Sequence, residues 1–61
     1  MRQYKLLEAE SATELSQLVT AMLAMRQGPP PHLYAWAVHG NPFAAIGLDG
    51  RQRFYQAMES F

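Results

Sequence analysis

The sequence predicts a small α+β domain, with one helix laid on one face of a small antiparallel or mixed sheet. Three observations carry that reading. The stretch Ser11–Gln27 repeats its apolar residues at helical spacing, Leu33–Val38 is apolar on both alternating faces, and Arg51–Met58 carries the adjacent rings Phe54 and Tyr55 in a strand-like run. The expected order is strand, helix, strand, strand, with room for an extra short strand at Phe43–Leu48. Sixty-one residues make residues 1–61 a single domain.

Gln3–Ala9, "QYKLLEA", reads as the first strand. Tyr4 and Leu6 fall on one face and Leu7 and Ala9 on the other, so neither face is cleanly polar. Ser11 followed by Glu14 predicts a capping box, in which the Ser hydroxyl accepts from the Glu14 N–H and the Glu carboxylate from the Ser11 N–H. Leu15, Leu18, Val19, Met22 and Leu23 then form one apolar stripe, which predicts a helix over Ala12–Gln27. Gly28 suits the left-handed stop position, Arg26 the negative helix end, and Pro29–Pro31 forbid continuation.

His32–His39 reads as the second strand. Leu33, Ala35 and Ala37 share one face; Tyr34, Trp36 and Val38 share the other. The small residues are expected under the helix, and the rings against some other body. Gly40–Pro42 signals a turn, and Asp49-Gly50 a two-residue hairpin loop before the final strand, Arg51–Met58. Ala44, Ala45 and Gly47 lend Phe43–Leu48 little strand propensity, so strand and ordered loop both stay open there.

Ordering a chain costs roughly 1.5 kcal/mol per residue, and a core this small offsets that narrowly. Small domains add disulfides, metals or partner subunits. Cysteine is absent, so a partner subunit is the staple to expect. Five basic and five acidic residues cancel, which disfavours phosphate-driven nucleic-acid binding. The N-terminus lacks the unbroken apolar stretch of a signal peptide, and no apolar run reaches membrane-spanning length; the expectation is a cytoplasmic protein with no membrane contact.

Two end segments, "YKLLEAESATEL" (Tyr4–Leu15) and "FYQAM" (Phe54–Met58), resemble a family of short domains of uncharacterised function found in bacteria and their phages. That resemblance implies the strand–helix–strand–strand order and names no reaction. The middle departs from the family pattern, since Pro29 follows Gly28 where the family has Trp, and Gly40–Arg51 leaves room for an insertion.

No residue set points to catalysis. Asp49 sits in a turn and Glu14 is committed to the cap; no hydroxyl lies beside a histidine, and no carboxylates pair. His32 and His39, seven apart on one strand, point to opposite faces and cannot share a metal within one chain. Met22 and Met58 read as core filling, with Met25 off the helical stripe. Arg51 and Arg53 share a strand face, where they serve either as solvated edge charges or, with the nearby rings, as a cradle for a small anionic ligand or an acidic loop of another protein.

These readings converge on a non-enzymatic module without cofactor or metal, acting as a homodimer or higher oligomer. Its interface and binding candidates are Tyr34, Trp36, Val38, Arg51, Arg53, Phe54 and Tyr55. The alternative, following from the resemblance, is a phage-encoded anti-defence protein that sequesters a nucleotide signal or blocks a host protein at a subunit junction.

Overall fold

The structure, a computed structural model, describes residues 2–28 and 34–60. His32 and Leu33, read from sequence as the start of the second strand, lie outside the described residues. Six elements follow in order: β1 (Tyr4–Ala9), α1 (Ala12–Ala24), β2 (Arg26–Gln27), β3 (Tyr34–Val38), β4 (Phe43–Ile46) and β5 (Gln52–Ser60). The long strand β5 is central. β1 pairs along one of its edges, from Tyr4 opposite Glu59 to Ala9 opposite Phe54. β3 and β4 follow one another along the other edge, β3 with Trp36 opposite Ser60 and β4 with Phe43 opposite Tyr55. β2 pairs with the outer side of β3, and every pairing is antiparallel. The α+β class stands, and the undecided stretch after Pro42 is a strand over Phe43–Ile46. Its alanines contribute little themselves, but β5 supplies a full ladder of partners.

The helix begins as its capping signal requires. Ser11 is extended (φ −141°, ψ 157°) and its Oγ accepts from the Glu14 N–H at 3.1 Å. The Glu14 carboxylate reaches back to the Glu10 N–H at 3.3 Å, one residue beyond the expected Ser11. The helix ends at Ala24, three residues before the expected Gln27. Met25 turns extended (φ −83°, ψ 146°) while its N–H donates to the Met22 carbonyl. Arg26 and Gln27 then pair with Ala35 and Tyr34. Strand pairing gives those two residues backbone partners, whereas a helix running on would meet Pro29, which disfavours the α conformation at Gly28. Arg26 therefore stands outside the last helical turn, and Gly28 follows β2 instead of closing α1.

α1 packs on β1, β3 and β5. The core between them is Leu7, Ala9, Leu15, Met22, Trp36 and Met58, with Val19, Tyr34 and Phe54 packed against it. Leu18 and Leu23, expected in the same stripe, flank it at 37% and 44% exposure. The register reverses the face assignment made for β3. Trp36 lies opposite Ser60 on the side facing α1, so Tyr34 and Trp36 go under the helix and the alanines face away. Magnitudes explain the reversal. Burying an indole removes about 200 Å² from water, worth about 5 kcal/mol, whereas an exposed alanine forfeits little. Trp36 Nε1 has no hydrogen-bond partner among the described residues; at about 1–3 kcal/mol, that cost leaves burial the winner.

Between β3 and β4 the four residues His39–Pro42 face only two on β5, Gln56 and Ala57. Gly40 takes φ +75° there, a region costly for residues with a Cβ. The His39 N–H donates to the Ala57 carbonyl at 2.9 Å. Gln56, buried, closes the bulge: its Nε2 lies 2.9 Å from the Ala57 carbonyl, 3.1 Å from that of Gly40 and 3.4 Å from that of His39.

β4 and β5 form a hairpin whose loop is longer by one than Asp49-Gly50 predicts. The Gly47 N–H donates to the Arg51 carbonyl and the Gly50 N–H to that of Gly47, with Leu48, Asp49 and Gly50 as the loop. A two-residue type I′ loop needs positive φ at both central residues. Among the described residues no non-glycine adopts it, and Gly50 alone in this loop does, at +78°. Asp49 keeps a negative φ, and its Oδ1 accepts from the Arg51 N–H at 3.0 Å, bracing the loop.

Candidate interaction surfaces

Adjacent strand residues point to opposite faces, and Phe54 and Tyr55 use that rule to serve two surfaces. Phe54 faces α1, half-buried against the core. Tyr55 faces the open side of the sheet, where its ring stacks on Phe43 with centroids 5.2 Å apart and planes 19° from parallel.

The open face has an apolar middle and polar ends. Leu6 sits opposite Ala57 and Phe43 opposite Tyr55; Leu6 is 54% exposed and Phe43 51%. At one end Glu59 accepts from the Tyr4 hydroxyl at 3.3 Å, pairs with Arg2 at 3.0 Å and lies 3.4 Å from His39 Nδ1. Tyr4 also meets the His39 ring edge-on at 5.4 Å. At the other end Arg53 holds Asp49 through two hydrogen bonds, of 2.6 and 3.1 Å, and lies 3.6 Å from Glu8. Arg51 lies 3.8 Å from Glu10. The guanidinium of Arg53 and the Arg51 N–H hold the Asp49 carboxyl below its ordinary range, and Asp49 in turn raises Arg53.

On the helix side a groove of about 480 Å³ opens where α1 stops short of β4. Leu15, Val19 and Phe54 supply its apolar walls, with Pro42 and Ala44 at its far rim. Two of its polar groups are already engaged, since the Thr20 hydroxyl donates to the Ser16 carbonyl at 2.9 Å and the Gln56 amide closes the bulge.

The seven sequence candidates therefore separate. Trp36 is buried in the core and Tyr34 half-buried beside it, their rings edge-on at 6.0 Å. Val38 is 50% exposed at the end of β3, Phe54 lines the groove, and Tyr55 lies on the open face. Arg51 and Arg53 flank a polar hollow together with Glu10 and Gln52, and each guanidinium has a carboxylate beside it. Sequence reasoning missed Leu6, Phe43 and Ala57 as one surface; the apolar residues on both faces of β1 were its only signal. Among the described residues no group of three or more His, Cys, Asp or Glu could hold a metal ion, and no helix is long and apolar enough to cross a membrane.

No protein-family model matches the chain, and no curated protein or solved structure is significantly similar to it. The resemblance drawn from Tyr4–Leu15 and Phe54–Met58 stands on those residues alone.

Proposed function

We propose that the protein is a non-enzymatic interaction module that associates with copies of itself through the open face of its sheet, in the cytoplasm. The observation supporting this is the apolar middle of the one sheet face that α1 cannot reach, where Leu6 and Phe43 are half-exposed beside the partly buried Tyr55 and Ala57. A single helix covers one side of a sheet, and a second copy supplies the other cover through a two-fold, self-complementary contact. With the two-fold axis running across the strands, such a contact sets the Arg53 end of one copy over the Glu59 end of the other. Two guanidiniums and three carboxylates stand at the first end, and Arg2, His39 and Glu59 at the second. An acidic end thus meets one where Arg2 and Glu59 cancel, and like charges do not oppose the contact.

Sedimentation equilibrium at micromolar concentration tests it. The wild type should run as a dimer or larger, with a melting temperature that rises with concentration. Leu6→Glu should lower the mass while retaining the circular dichroism of the fold. A wild-type monomer with a concentration-independent melting temperature overturns the proposal. The nucleotide-sequestering alternative has less support, because the guanidiniums it needs are beside Asp49, Glu8 and Glu10. A thermal-shift screen with nucleotides on wild type and on Arg51→Ala/Arg53→Ala separates the two readings.

A further inference from the structure

We infer a second self-contact, in which the β4–β5 hairpin of one copy lies in the groove between α1 and β4 of another, reciprocally about a two-fold axis. It rests on the self-association proposed above and uses the opposite side of the sheet, so the two contacts can coexist.

Shape is the first support. The chain extends 45 × 21 × 18 Å, with a radius of gyration of 13.1 Å, whereas a globular chain of this length has about 10.5 Å. Its accessible surface is 4535 Å², about 500 Å² more than the roughly 4,000 Å² that its mass predicts. Doubled across two copies, that excess reaches the ~1,000 Å² a specific interface needs. A hairpin standing off a core is marginal in water without cover.

The hairpin's chemistry supplies the second support. Ile46 is 67% exposed and Leu48 fully exposed at its end. The charges beside them are neutralised inside the hairpin, where Asp49 and Arg53 bond each other twice. An apolar tip with paired charges matches a groove whose walls are mainly apolar and whose Thr20 hydroxyl and Gln56 amide are engaged.

Position is the third support, and it selects a second copy as the occupant. The groove lies at the root of the same hairpin that ends in Leu48, with Ala44 on its rim. Four residues separate root and tip, about 13 Å along a strand. Two hairpins laid antiparallel, helix-facing side to helix-facing side, therefore place each tip at the other's root, with Ile46 near the axis. A second copy so placed gains both contacts at once.

Disulfide trapping tests this cleanly, because the chain has no cysteine of its own. Leu48→Cys joins the tip to Ser16→Cys on the groove wall, in wild-type and Leu6→Glu backgrounds. Mild oxidation of the double-cysteine protein should give one covalent dimer band in both backgrounds, and neither single-cysteine protein should give it in comparable yield. A ladder of larger species would mean open head-to-tail addition and would overturn the two-fold form. Monomer alone, from a wild type that still sediments as an oligomer, would overturn the hairpin contact and leave the open-face proposal standing. Monomer alone from a wild type that also sediments as a monomer removes both.

Discussion

Replacing Gln56 with Met keeps side-chain length and removes the amide that closes the bulge between β3 and β4. The amide has two hydrogens for three carbonyls at 2.9, 3.1 and 3.4 Å, so two bonds form at a time. At about 1 kcal/mol net for each bond, the substitution costs ~2 kcal/mol. A 61-residue chain has about 3–9 kcal/mol in total, so the loss is a large share of it. The melting temperature should fall by roughly 8–16 °C. Urea unfolding followed by the fluorescence of Trp36, the one tryptophan, measures the same loss at fixed protein concentration. The slope with denaturant should not change, since the buried surface does not. Gln56→Glu gives a sharper form of the test. An ionised carboxylate only accepts, so it would face three carbonyl oxygens, and stability should fall further at neutral pH. It should partly recover as pH is lowered through the range of a carboxyl held in its protonated form. A Gln56→Met shift under about 3 °C, less than ~0.5 kcal/mol, would show that the bulge holds itself and refute the reasoning.

Met58, at 0% exposure where β1, β3 and β5 meet, should cost about 2–5 kcal/mol as Met58→Ala, visible as a lower urea midpoint. Ser11→Ala should cost ~1 kcal/mol through the lost N-cap, and Ser11→Asp should recover most of it. For Asp49 the folded state holds the carboxyl below its ordinary value of 3.8. Its contribution is therefore complete above that value and is lost as pH falls through the lower folded one. Amide exchange in the Gly47–Arg51 loop should accordingly gain an acid-dependent opening in wild type that Asp49→Asn lacks; identical profiles would rule out the pairing.

Local signals were readable in the sequence and long-range ones were not. The start of α1 is set by Ser11 and Glu14 within one turn, and the capping bond is found where their spacing puts it. Its end depends on Arg26 and Gln27 finding partners on β3, a choice that nothing within the helix encodes. The two faces of β3 follow from its alternation, but which face meets α1 depends on the register between Trp36 and Ser60, set twenty-four residues away. β4 is weak by propensity and exists through its pairing with β5. The same limit applies to the surfaces. Phe54 and Tyr55 announce two sides by adjacency alone, whereas Leu6, Ala57 and Phe43 meet only once three strands are aligned.

The bulge at His39–Pro42 has a consequence for how this chain can change length. It adds two residues, an even number, so the outward and inward positions of β4 keep step with those of β3. A single insertion or deletion there would break that step, yet the ladder with β5 would still hold Phe43 opposite Tyr55 on the open face. The strain of a changed length would fall instead on the bonds from Gln56 to the His39 and Gly40 carbonyls, which span the connection.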